Sequence, residues 1–148
     1  MNLEIKPLTP ALAADFFDFF DNRAFAGHEE WSCCYCTWFH MDKSYENQVS
    51  EQVKADGESD ALRRALRGLA VTFLKEGTLH GYLAYEDNIV VGWCNANEKT
   101  KFRRFDFNTE LSSFIRENGN KKTKTATCLL SLLSNSEKAW QPLCWKGL

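Results

Sequence analysis

Gly81-Tyr82-Leu83-Ala84-Tyr85, then Glu86-Asp87-Asn88, then Ile89-Val90-Val91-Gly92-Trp93-Cys94-Asn95-Ala96 is the stretch that decides the fold. Two runs rich in β-branched and aromatic residues, joined by a short polar turn, predict an antiparallel hairpin. Side chains alternate along a strand, so Trp93 and Asn95 fall on one face and Cys94 on the other. Upstream, Ser59 is placed to cap a helix in which Leu62, Leu66, Leu69, Val71 and Phe73 recur, ending at Gly77. Residues 44 to 56 are polar with thin apolar content and are broken by Gly57. Leu3 to Leu8 alternates apolar and polar residues as a short strand does, and its proline suits a strand end. Thr9-Pro10 then reads as an N-cap with an N1 proline, opening a helix to about Asp21 with Leu12, Phe16, Phe19 and Phe20 on one face. Downstream, Lys99 to Asn120 is charged and mixed, with Phe102, Phe105, Phe107, Leu111 and Ile115 on short helical turns; Thr123 to Leu133 reads as a further strand. Strand, helix, helix, hairpin, strand is an α+β order in one domain, without an internal repeat or linker.

Composition narrows the function. The chain has 148 residues, with 18 Lys plus Arg against 20 Asp plus Glu and a net charge of -2. That balance gives no global pull toward nucleic acid or anionic lipid. No apolar run approaches the roughly 20 residues that span a bilayer, and the N-terminus lacks a basic segment followed by an apolar one. The expectation is a cytoplasmic protein with neither a nucleic-acid nor a membrane partner. Two basic patches, Lys99 to Arg104 and Lys121 to Lys124, read as solvated faces or as contacts for phosphates.

The composition is heavy in aromatics, with 5 Trp, 11 Phe and 4 Tyr, and in sulfur, with 6 Cys. Without a secretory signal, free thiols are the expectation. The segment from Gly27 to Met41 has no clean period and reads as loop or irregular helix. Within it Cys33 and Cys36 have the spacing of a zinc knuckle, with His40 and His28 as further candidate ligands. There is no second pair of that spacing. Trp31, Tyr35, Trp38 and Phe39 beside them favour cysteines packed as small hydrophobes or forming the wall of a pocket; a reactive thiol is the third reading.

The block Cys34-Tyr35-Cys36 in its aromatic setting, with Gly81 to Tyr85 and Val91 to Ala96, resembles a bacterial subgroup of the GNAT superfamily of N-acetyltransferases. The likeness covers residues 3 to 128. It implies a mixed, mainly antiparallel sheet with flanking helices of the acyl-CoA N-acyltransferase type. It also implies transfer of an acetyl group from acetyl-CoA to the primary amine of a small molecule or peptide, by direct attack. In that superfamily the strand after the hairpin holds the pantetheine arm through backbone groups; the matching positions are Thr127, Cys128 and Leu129. For the acceptor side, Trp31, Tyr35, Tyr82, Trp93 and Asn95 are candidate pocket residues, with Trp93 reading also as core and the aromatic segment as packing; Glu86 is a candidate base or a solvated carboxylate beside the turn. No metal is expected, and no residue is identified for the acid that reprotonates the thiolate.

After Cys128 the resemblance stops. The superfamily's Gln/Arg-x-x-Gly-x-Gly/Ala segment, whose amides cradle the pyrophosphate, is absent from residues 129 to 148. A single-base deletion accounts for this. TGC TTT ATT ATC GCT CCT GA, short of one T, becomes TGC TTA TTA TCG CTC CTG A, which encodes Cys128 to Leu133 as they stand. In the shifted frame Trp140-Gln141 forces Ala, Cys144-Trp145 forces Leu and Trp145-Lys146 forces Glu. The freer codons permit Gln-Arg-Lys-Gly-Met-Ala-Thr-Ala-Leu-Leu-Glu-Arg, the missing motif followed by an amphipathic helix. Residues 1 to 128 are therefore expected to be the first two thirds of an acetyltransferase domain, and 129 to 148 a non-native or diverged tail. Expected consequences are an impaired enzyme with weak or no coenzyme binding, and self-association through an exposed sheet edge. A non-catalytic remnant or interaction module, and a small zinc-binding domain, are the competing classes.

Overall fold

Asp87 and Asn88 close the hairpin, both in the left-handed region at φ 48° and 66°. Two such residues make the tight turn whose twist suits antiparallel strands. In the computed structural model, residues 2–98, 101–106 and 124–131 are described, the last run and residues 105–106 by their backbone alone. The order is β1 (Leu3–Pro7), α1 (Ala13–Asn22), α2 (Lys43–Asp56), α3 (Ala61–Lys75), β2 (Gly81–Glu86), β3 (Ile89–Glu98) and β4 (Lys124–Ser131). The sheet order is β1-β2-β3-β4, and every described pairing is antiparallel. Among the described residues the sheet is thus purely antiparallel rather than mixed. Two irregularities interrupt it: Val91 is an extra residue against Ala84-Tyr85, and Thr127 is an extra residue against Asn95-Ala96.

The helices follow from local chemistry. Pro10 starts a 3-10 turn, Pro10–Leu12, that runs into α1, and Phe16, Phe17, Phe19 and Phe20 bury its inner face. The polar stretch before Gly57 forms α2. Its N-cap is Asp42, whose Oδ1 accepts the amides of Ser44 at 3.0 Å and Tyr45 at 3.1 Å. Tyr45, Val49 and Val53, spaced by four, are its whole apolar stripe, too narrow to stand out as a period. Helix α3 begins after Asp60 rather than at a Ser59 cap, and Asp60 makes no side-chain cap bond. At its other end Gly77 takes φ 70°, with Thr78 N–H on Phe73 O at 2.8 Å and Gly77 N–H on Leu74 O at 3.2 Å. Such a paired closure needs a residue without Cβ strain.

Among the described residues one core joins the phenylalanines of α1 and Leu66, Leu69, Ala70, Phe73 and Leu74 of α3 to Leu83, Tyr85, Val90 and Trp93 of the sheet. Among the described residues no helix is long and apolar enough to cross a membrane. The expected helical turns near Phe102 and Phe105 correspond to a 3-10 turn, Arg103–Asp106. Those near Phe107, Leu111 and Ile115, and the tail beyond Ser131, lie outside the described residues.

Candidate functional site

The segment between α1 and α2 is irregular, as its sequence implies, with 3-10 turns at Glu29–Trp31 and Trp38–His40. It is tied down at two places. At the first, Tyr35 Oη donates to Asp21 Oδ1 at 2.6 Å and accepts from Arg63 Nε at 3.3 Å, while Arg67 Nη2 meets Asp21 Oδ2 at 2.9 Å. Burial raises the Tyr35 hydroxyl above its ordinary pKa, and bonding to the Asp21 carboxylate raises it further. Burial alone would raise Asp21 too, but the hydrogen bonds from Arg67 and Tyr35 and the two guanidinium charges hold it below the usual carboxylate range. Arg63 and Arg67 are one helical turn apart on α3, a spacing that puts both guanidinium groups on one face but does not by itself point to Asp21.

The second tie is a buried polar node. Cys36 stands at φ 55°, a left-handed conformation uncommon outside glycine, asparagine and aspartate. Its carbonyl accepts from Asn95 Nδ2 at 3.3 Å, and its sulfur accepts from Trp93 Nε1 at 3.2 Å. Asn95 Oδ1 faces His40 Nε2 at 3.3 Å, and His40 Nδ1 faces the Lys101 carbonyl at 3.1 Å. His40 and Asn95 are fully buried. Both ring nitrogens of His40 thus face acceptors, and a neutral ring can donate to only one of them. Burial nevertheless pushes His40 below its ordinary pKa; the bonds to Lys101 and Asn95 oppose that shift, and the Arg103 charge adds to it.

A depressed histidine pKa has a signed consequence. Below about pH 6.5 the unfolded chain binds a proton that the folded one resists, so stability falls as pH drops from 7 toward 5. Urea midpoints across that range should show the fall, and H40N should flatten it; an equal slope in the variant would remove His40 from the effect. The carboxylates held low, Asp18, Asp21, Glu46 and Asp56, lose their contribution in a lower window, near and below pH 4.

Of the residues named for an acceptor pocket, Tyr35, Trp93 and Asn95 come together, but as packed interior: each is buried, and Trp93 lies edge-on to Phe16 at 5.1 Å. Trp31 sits at the rim, stacked on His28 at 4.5 Å. Tyr82 pairs with Cys94 across the strands and projects from the opposite face, because it alternates with the inward Leu83. Glu86 flanks the turn, opposite Leu3 and Ile89. Neighbouring Tyr85 instead reaches Asp15 Oδ2 at 2.7 Å, and burial with that carboxylate raises its hydroxyl pKa. Thr127 is the bulged residue of β4, followed by Cys128 opposite Asn95 and Leu129 opposite Cys94.

Among the described residues no group of three His, Cys, Asp or Glu side chains is placed to hold a metal ion. Cys36 is turned to Trp93, His40 to Asn95 and Lys101, and His28 to Trp31, so the zinc-knuckle spacing is not gathered into a ligand set. The two arginines of the first basic patch are engaged as well. Arg103 bonds Asp42 at 3.1 Å, and Arg104 pairs with Glu46 and lies 3.5 Å over the Trp38 ring, strapping residues 101–106 onto α2. Two grooves, of about 710 and 270 Å³, run along α2 and α3, away from the node. No family model, curated protein or solved structure matches the chain.

Proposed function

We propose that the chain is built on the acetyltransferase plan, with β4 as the strand that would meet the pantetheine arm of acetyl-CoA and a primary amine of a small molecule or peptide as acceptor. The observation that carries this reading is the Thr127 bulge. An extra residue on one strand leaves its own backbone groups out of the ladder and bends the strand, which supports a backbone cradle centred on Thr127, with Cys128 and Leu129 beside it still in register with β3. The order of helices and strands before it, and the antiparallel sequence β1-β2-β3-β4, support the same reading. In this proposal Glu86, at the end of β2, takes the proton from the amine, and the node around Asn95 stiffens β3 behind the bulge rather than walling a pocket. Residues 129 to 148 lack the pyrophosphate-binding motif, so phosphate contacts contribute little.

Calorimetric titration of the full chain tests this. Acetyl-CoA and S-acetylpantetheine should bind with affinities within roughly threefold of one another, because only the pantetheine arm is held. A large preference for acetyl-CoA would mean a phosphate site outside the expected motif, and no binding of either ligand by this chain or by the frame-restored one would end the reading. Restoring the reading frame after Cys128 should bring the preference for acetyl-CoA back.

A further inference from the structure

Among the described residues, strand β1 pairs on one side only, and its other edge carries a directional pattern. Leu8 N–H donates to Gly81 O at 2.8 Å and Asp87 N–H to Asn2 O at 3.4 Å, so the even-numbered residues turn their backbone groups toward β2. By alternation Leu3, Ile5 and Pro7 turn theirs to the other side, along which no described strand runs. The side chains of Leu3 and Ile5 are 53% and 58% exposed. Glu4 and Lys6 project from the opposite face, 3.1 Å apart, and the Lys6 ammonium also lies 4.5 Å from the Tyr85 ring centre.

We propose that this edge is the interface with a second copy of the chain, two β1 strands pairing antiparallel about a twofold axis at Ile5 to make one continuous sheet. In that register Ile5 faces the partner's Ile5, Glu4 faces the partner's Lys6, and Leu3 faces the partner's Pro7. Each Ile5 N–H donates to the partner's Ile5 carbonyl, and each Leu3 N–H to the partner's Pro7 carbonyl. The missing N–H of Pro7 falls opposite a Leu3 carbonyl at the strand end, where water can satisfy it.

Charge selects this register. Only odd-numbered residues offer backbone groups to the seam, so the strands can slide only in steps of two. One step sets Glu4 against the partner's Glu4, and the step the other way sets Lys6 against the partner's Lys6; like charges directly opposed repel. Lysine and proline commonly blunt an edge against pairing. Here the twofold register sets the lysine against a carboxylate and the proline at the rim, and the contact buries the two exposed apolar side chains of β1. The proposal does not depend on the acetyltransferase reading.

Sedimentation velocity on the full chain over a concentration series decides it, with circular dichroism confirming that each variant is folded. The wild type should dimerise reversibly. E4K, which turns two attractive pairs repulsive, should weaken the dimer by roughly tenfold or more, and the double swap E4K/K6E should restore it. I5P removes a backbone N–H that β2 does not use, and should abolish the dimer while leaving the fold intact. A wild type monomeric at every concentration, a dimer indifferent to E4K and I5P, or a double swap that fails to recover would each overturn the proposal.

Discussion

Gly81→Ala is expected to destabilise the protein by about 3 kcal/mol or more, a large share of the 5–15 kcal/mol that holds a typical domain together. A Cβ at Gly81 would stand 2.1 Å from the Cys94 carbonyl oxygen and 2.4 Å from the Trp93 ring. Neither neighbour can yield cheaply. The carbonyl belongs to β3, which is paired with β2 at this point. The indole is wedged between Phe16, Phe20 and the Cys36 sulfur. Relief would have to come from prising apart the end of the hairpin. In urea the midpoint should fall by roughly 1–2 M. Gly68→Ala is the control, since nothing lies within 4 Å of a Cβ there; in the interior of α3 that change should stabilise by about 0.5–1 kcal/mol. If Gly81→Ala proved as mild as its control, the close approach of β2 to Trp93 would be wrong.

The second large effect is at Asn95. Replacing it with leucine keeps the branched shape in a bulkier side chain and removes both polar contacts, the bond to the Cys36 carbonyl and the contact with His40 Nε2. Losing these contacts and fitting a larger side chain into a packed site cost about 1–3 kcal/mol each, so N95L should lose about 3 kcal/mol. The left-handed Cys36 also loses one of the bonds that hold it, and its thiol should react faster with a thiol reagent in the folded protein. A double-mutant cycle with H40L separates the terms: a coupling energy near zero would mean that Asn95 and His40 do not interact, whatever the single variant costs.

The residues that were legible in the sequence are those whose structural reason is local. The hairpin announced itself because strand period and turn chemistry coincide between Gly81 and Ala96, and α1 because its phenylalanines recur at helical spacing after Pro10. Helix α2 was hidden because Tyr45, Val49 and Val53 form a single narrow row, although the Asp42 cap and the Gly57 stop were there to be read. The polar node could not be read at all. His40 and Asn95 lie 55 positions apart, and nothing near either one says that the other satisfies it. For the same reason the zinc-knuckle spacing could be set aside only on its aromatic surroundings, and the partners of Arg103 and Arg104 on Asp42 and Glu46 were not visible in the basic run. Expectations for the acceptor pocket fared in between: alternation correctly put Trp93 and Asn95 on one face, but burial makes that face interior.

The sheet is ordered β1-β2-β3-β4, yet its seams differ in the length of chain they enclose. Two residues separate β2 from β3, whereas roughly 70 residues, with all three helices, separate β1 from β2. On a simple loop-closure scale that difference is worth about 3 kcal/mol against the outer seam. The first strand of the sequence is therefore the entropically weakest member of the sheet, the one whose departure releases the most chain. A second copy seated along it would act as a latch on the whole excursion from Leu8 to His80.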